Sequence, residues 1–219
     1  NFWPCNYCRW VHSDPNRHLE HSMSTLELKE LSHPAGEVIK IAAGKTLDLK
    51  TQGSVTMPTG SVLQVVNFIS TAKTSQTIVT SDTLVSDITK SITPLGDNSK
   101  FLVNIRWFGE ADTGWGIVFN IHMDGTRVNV NGQTNTWTGL AMPVTTYGLS
   151  SDNDSTPDTA NFSTVVTTSA PAGTAIVFKL MGAVGSGSRV LWTNRCFGNA
   201  GQSGYENGTS EIIITEIAQ

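Results

Sequence analysis

Residues 100–132 read KFLVNIRWFGEADTGWGIVFNIHMDGTRVNVNG. Two runs in it, 100–108 and 116–123, alternate apolar and polar side chains, so that Phe101, Val103, Ile105 and Trp107 share one face of the first. A period of two marks a strand with one face buried. Asp124-Gly125 and Asn131-Gly132 follow as hairpin signals, because both turn positions favour positive φ. Trp107 is expected in the core.

The same reading carried outward predicts strands near 61–69, 76–80, 84–93, 126–130, 143–148, 161–168, 174–182, 189–193 and 210–217. Pro171-Ala172-Gly173 marks a further turn. No segment after residue 33 has helical spacing. These strands predict an all-β fold, an antiparallel β-sandwich or jelly-roll-like domain over residues 61–219. Only 15% of the 219 residues are charged, as suits a turn-dense β protein. A net charge of -4 without any Lys/Arg cluster gives no reason to expect nucleic acid. No apolar run reaches the roughly 18–20 residues that span a bilayer, so no membrane insertion is expected.

Residues 23–60 read differently. Glycines at 36, 44, 53 and 60 cut this stretch into short pieces, each with about two alternating apolar side chains: Ile39/Ile41, Leu47/Leu49, Val55/Met57. Strands so thin cannot bury a core alone. The expectation is an extended, short-strand β shaft or attachment segment whose core several chains share.

Residues 1–22 hold Cys5, Cys8, His12, His18 and His21. These are metal-ligand types, but the second half of a zinc spacing is missing. The segment is read as a non-native or disordered leader before Met23, with no metal expected.

The longest loops are predicted at 109–115, 131–142, 149–160 and 194–209. They carry Trp115, Trp137 and Tyr205, the candidate ligand-binding residues, with Tyr147 nearby. Flat aromatics in loops suit stacking on a sugar ring, a subunit contact or ordinary packing. Catalytic constellations are weak. His122 and Asp124 would share a strand face and could orient an imidazole, but no nucleophile motif accompanies them. Glu110 and Asp112 read as solvated loop charge, since two acids in one loop do not straddle a substrate. Asp152–Asp158 places oxygens at alternate positions as a calcium loop does, with Pro157 where glycine is needed. An ordinary acidic loop fits it better. Cys196 reads as a buried, idle thiol. No catalytic residue and no cofactor are expected.

Several passages carry a resemblance: MSTLELKEL (23–31), IKIAAGKTLDL (39–49), GSVTMPTGSVLQVV (53–66), TSDTLVSDITKSITPLGDNSKFLVNI (80–105) and GTSEIIITEIAQ (208–219). In these the chain resembles structural proteins of marine bacteriophages, especially phages of cyanobacteria. The likeness covers roughly 23–105 and 207–219. Where that family has a serine-rich turn, this chain has Leu95-Gly96-Asp97-Asn98. The resemblance implies a non-enzymatic virion protein, a tail fibre, head fibre or capsid decoration, exposed on a particle assembled in the host cytoplasm. It implies a homotrimer, contacts with other virion proteins, and adhesion to a host-surface glycan or protein through loop tips. It supplies no fixed catalytic or ligand residues. Two alternatives stand beside it. One is a carbohydrate-binding or adhesin domain of a bacterial surface protein. The other is a fibre-borne polysaccharide depolymerase resting on Glu110, Asp112 or residues 152–158.

Overall fold

The computed structural model describes residues 43–44, 57–113, 116–129, 137–143, 157–198 and 206–219. The chain divides into two compact units, Asn1–Ser54 and Val55–Gln219. Most of the expected shaft and the whole leader fall outside the described residues, as do Trp115 and Tyr205.

The second unit is an all-β sandwich. Its strands are β1 (Val62–Ser70), β2 (Thr74–Val79), β3 (Thr83–Ile92), β4 (Lys100–Ala111), β5 (Ile117–Met123), β6 (Thr126–Arg127), β7 (Asp158–Thr167), β8 (Ile176–Val184), β9 (Ser188–Thr193) and β10 (Ser210–Ile217). One sheet runs β1-β10-β4-β9-β2, with β7 also on β4; the other runs β3-β8-β5-β6. Every registered pair is antiparallel. From β3 to β9 the chain alternates between the sheets, the β5–β6 hairpin counting as one step, as in a jelly roll. Backbone hydrogen bonds from Gly60 to Ala218 and from Ala218 to Ser61 hold the start of β1 beside the end of β10.

The alternation read in 100–108 builds the core. Phe101, Val103, Ile105 and Trp107 of β4, with Ile212 and Ile214 of β10, face Ile117, Phe119, Ile121, Ile176, Phe178 and Leu180 of the second sheet. Rings from the two sheets meet, Phe101 edge to face on Phe178 at 5.6 Å and Trp107 tilted on Phe119 at 5.1 Å. Burying each such side chain contributes about 1.5–3 kcal/mol. The Trp107 indole N–H donates to Thr193 Oγ1 at 3.1 Å, so its polar end is satisfied inside the core. The Asp124-Gly125 turn forms as the dipeptide predicts, with φ of 49° and 85°.

Three expectations about elements are corrected. Residues 109–111 belong to β4, because β4 exchanges its partner β7 for β9 at Gly109 and runs on to Ala111. Gly109 is there for room: a Cβ would lie 2.0 Å from the Trp192 carbonyl oxygen. Of the strand expected at 126–130, Thr126–Arg127 pair with β5, Val128 buries its side chain while its N–H still donates to the Ile121 carbonyl at 3.0 Å, and residue 130 lies outside the described residues. Residues 158–160 lie in β7 and not in a loop, because β7 follows β4 as far as Gly109. Of the strand expected at 143–148, Pro143 is not extended into a ladder and 144–148 lie outside the described residues.

The turn between β3 and β4, residues 93–99, is built on a buried acid. Glu216 of β10 is fully buried. Its carboxylate accepts hydrogen bonds from the Leu95 N–H (2.8 Å), the Gly96 N–H (3.1 Å), Ser99 Oγ (2.6 Å) and Gln64 Nε2 (2.6 Å). Successive backbone N–H groups make a concave anion site, here filled by the protein's own side chain. The Leu95-Gly96-Asp97-Asn98 turn thus takes its shape from a residue at the far end of the sequence.

Candidate functional site

At one end of the sandwich two connections cross side by side from sheet to sheet. The first leaves β4 after Ala111 and enters β5 at Ile117; the second leaves β8 after Val184 and enters β9 at Ser188. They are tied at both feet. The Asp112 N–H donates to the Val190 carbonyl at 3.0 Å, and the Val190 N–H donates to Asp112 Oδ2 at 2.9 Å. Ile117 and Val184 are register partners at the other foot, so Gly116 and Gly185 flank that pair.

Trp137 reaches this end from the edge of β5. Its segment is anchored there by hydrogen bonds from the Phe119 N–H to the Ala141 carbonyl and from the Leu140 N–H to the Phe119 carbonyl, both 2.7 Å. The indole lies on the Gly185 backbone: a Cβ at residue 185 would come within 1.7–2.0 Å of three indole atoms. The residue is nevertheless 59% exposed. Beside it, the Gly116 position lies 3.8 Å from Arg189 Nε, measured from an ideal Cβ. Two buried polar atoms in this neighbourhood, Asp112 Oδ1 and Arg189 Nε, have no hydrogen-bond partner among the described residues. Arg189 and Gly185 carry no sequence signal of this role; Trp137 does, as an indole in a polar loop.

The other polar centres bind the fold together. Asp82, just before β3, accepts from Arg127 Nε (2.5 Å) and Nη2 (2.6 Å) and pairs with His122 Nε2 (2.7 Å). Burial pushes the Asp82 carboxyl up, but the hydrogen bonds from Arg127 and His122 outweigh it and hold it below its ordinary value of 3.8. His122 is therefore oriented by Asp82 and not by Asp124. Asp124 instead accepts the Val177 N–H across the β5–β8 ladder.

Glu110 is 2% exposed, which corrects its reading as a solvated charge. Lying on β4 after the exchange of partners, it accepts the Phe197 N–H at 2.8 Å. Asp112 is likewise engaged, at Val190. Cys196 is fully buried and free. Burial first, then the Glu110 and Glu206 charges, push its thiol up to about 11. Asn194 (φ 63°) is another buried hub. Its amide donates to the Ser70 and Ala72 carbonyls at 3.0 and 2.9 Å and accepts from Ser210 Oγ at 2.8 Å.

One sheet face lies open. Cross-strand register sets Val65, Thr215, Leu102 and Val165 in one row, then Asn67, Ile213, Asn104 and Ser163, then Ile69, Glu211, Arg106 and Asn161. Val65 (57%), Val165 (50%) and Ile69 are exposed. The two polar rows frame a shallow groove of about 380 Å³, in which Arg106 Nη1 is held by the Thr209 carbonyl at 2.6 Å.

Among the described residues no three His, Cys, Asp or Glu side chains come together as metal ligands. No described helix is long and apolar enough to cross a membrane. No protein-family model matches the chain, and no curated protein sequence matches it.

Proposed function

We propose that the chain is a non-enzymatic structural protein of a bacteriophage particle, a fibre or capsid decoration protein, working as a homotrimer and adhering to a host surface through its loop tips. The observation that supports this best is the open face of the β1-β10-β4-β7 sheet. Val65, Leu102 and Val165 make an apolar row on it, and Ile69 and Ile213 extend that row among polar neighbours. Exposed apolar side chains gathered on one sheet face, here interrupted by Thr215 and polar neighbours, suit a contact face. A rotationally symmetric assembly covers such a face without leaving a sticky end. The resemblance of residues 23–105 and 207–219 to phage structural proteins points the same way. The buried ionisable groups are engaged in holding strands: Glu110 at Phe197, Glu216 at the 95–99 turn, Asp82 at β5 and β6.

Light scattering after size exclusion tests the assembly. The expected mass is three times the 23.5 kDa chain, falling to one chain for Val65→Lys with Val165→Lys. A wild-type monomer at micromolar concentration overturns it. Antibody labelling of intact particles tests the location, and particles that do not carry the protein overturn the virion reading.

The exposed indole of Trp137 favours a second reading, a carbohydrate-binding domain of a bacterial surface protein. The same labelling separates the two, because that reading puts the protein on cells and not on particles.

A further inference from the structure

We infer that the free edge of β1 is a pairing site for the same strand of a second copy, the two running antiparallel about Asn67 so that one sheet continues into the next. This contact goes beyond the function proposed above and does not rest on it. It is two-fold, it uses the edge of the sheet and not its open face, and it joins one assembly to another.

Three observations carry it. First, β1 ends its sheet: it pairs with β10 on one side, and among the described residues no strand pairs with the other. An edge strand presents a row of outward N–H and C=O groups, which is the chemistry that a further extended strand satisfies. Second, this edge is unguarded where the others are blunted. β2 and β6 are short, six and two residues. β3 breaks register between Leu84 and Thr89, with Ser86 at a φ of 52° and Asp87 and Lys90 along it. On β7 the Asn129 side chain occupies the outer side, donating from Nδ2 to the Val165 carbonyl at 2.7 Å. β1 is nine residues, VLQVVNFIS, without charge, proline or glycine, and its one register shift lies at its start, between Val62 and Gln64. Third, its pattern is self-complementary. Val65, Asn67 and Ile69 are exposed on the open face, while Val66 and Phe68 pack on the core. Antiparallel pairing centred on Asn67 keeps both faces in step. Val65 of each copy then meets Ile69 of the other, Val66 meets Phe68, and the two Asn67 amides meet at the axis. Such aromatic and β-branched pairs are those that antiparallel strands favour. Centring on Val66 or Phe68 instead sets Val65 or Ile69 against Asn67. The strand is also fixed beforehand, since Gln64 holds Glu216 and the Thr93 carbonyl at one end and Ser70 holds Asp87 at the other. Pairing therefore needs little ordering. Each copy spends one edge on the other, so the contact closes on itself.

The test is sedimentation equilibrium of the full chain from micromolar to near-millimolar concentration. One strand edge is a small contact, so the pairing should be weak, and the unit present at low concentration should double as concentration rises. Val65→Glu and Ile69→Lys, each alone, should weaken the doubling about tenfold, because each sets a charge against an apolar side chain. Both in one chain set opposite charges against each other across the pair and should restore it. The lysine is placed at 69 because Glu211 is the neighbour of that residue on β10. Val165→Lys, on the same face but three strands away, should leave the doubling intact. Should a single variant lose its fold by circular dichroism, amide hydrogen exchange of the wild-type chain decides, with β1 slowed at high concentration and β2 and β7 unchanged. No doubling, doubling that survives both single variants, or a double variant that does not restore it overturns the pairing. Exchange in β1 that is already slow at the lowest concentration means that another segment covers the edge, and overturns it too. A unit of three chains that never doubles overturns the pairing and keeps the assembly proposed above; a single chain that doubles to two does the reverse.

Discussion

Removing the Glu216 carboxylate tests whether the 93–99 turn is shaped by a side chain more than a hundred residues away. In Glu216→Ala the Leu95 and Gly96 N–H groups, the Ser99 hydroxyl and the Gln64 amide lose a charged acceptor at 2.8, 3.1, 2.6 and 2.6 Å. Hydrogen bonds to charged groups are worth about 1.5–3 kcal/mol each. Ser99 can turn its single proton to the Gly96 carbonyl at 3.0 Å, and Leu95 is exposed enough for water to replace part of its loss. Discounting those two, the expected destabilisation is about 3–4 kcal/mol. Glu216→Gln keeps one acceptor oxygen for the 95–99 donors and sets an NH2 toward Gln64, whose amide can turn its oxygen to receive it, so the loss should be mainly the charge assistance, about 1–2 kcal/mol. Urea unfolding of both variants at one fixed protein concentration measures this, with the slope expected unchanged because the native fold persists. An alanine variant within about 1 kcal/mol of wild type, or a glutamine variant as damaged as the alanine one, refutes the reasoning.

Single contacts supply the remaining tests. Gly109→Ala forces a Cβ to 2.0 Å from the Trp192 carbonyl oxygen, so it should abolish folding or cost more than about 3 kcal/mol. Gly125→Ala meets nothing within 4 Å and should cost only the strain of its φ of 85°, roughly 1 kcal/mol, both read by thermal unfolding. The Asp82 carboxyl is held below 3.8 in the folded chain, so the stability it contributes is present above the unfolded value. That stability is lost as pH falls through the lower folded value. Asp82→Asn should therefore flatten the acid limb of the stability profile below about pH 4 while lowering the plateau at about pH 7. With its thiol at about 11, Cys196 should be about one part in a thousand thiolate at pH 8. Mass spectrometry should find its peptide unlabelled by iodoacetamide until urea opens the core.

The strands were legible because their signal is local. Alternation in 100–108 and Asp-Gly at 124–125 reach no farther than the pair they specify. Where the sequence misled, the deciding partner lay far along the chain. Gly109 reads as a strand breaker, yet β4 continues through it because the distant Trp192 backbone crosses there. Glu110 reads as solvated until Phe197 supplies an N–H. His122 lies two residues from Asp124 but turns to Asp82, 40 residues back. The same limit applies to the candidate site. Trp137 stands out as an indole in a polar loop, whereas Gly185, on whose backbone it lies, looks like an ordinary turn residue.

The pairing of the first strand with the last has a mechanical meaning. Val62 opposes Ile217, and Ile217 opposes Lys100 at the start of β4, whereas the Trp137 end lies beyond the finish of β4 at Ala111. A pull between Ser61 and that end acts along the strands over about 40 Å, the span of twelve extended residues. The hydrogen bonds joining β1 to β10 then lie across the line of force and are loaded together in shear. They cannot open one after another as a zipper does. Tension applied between those two points thus loads the β1–β10 ladder along its length.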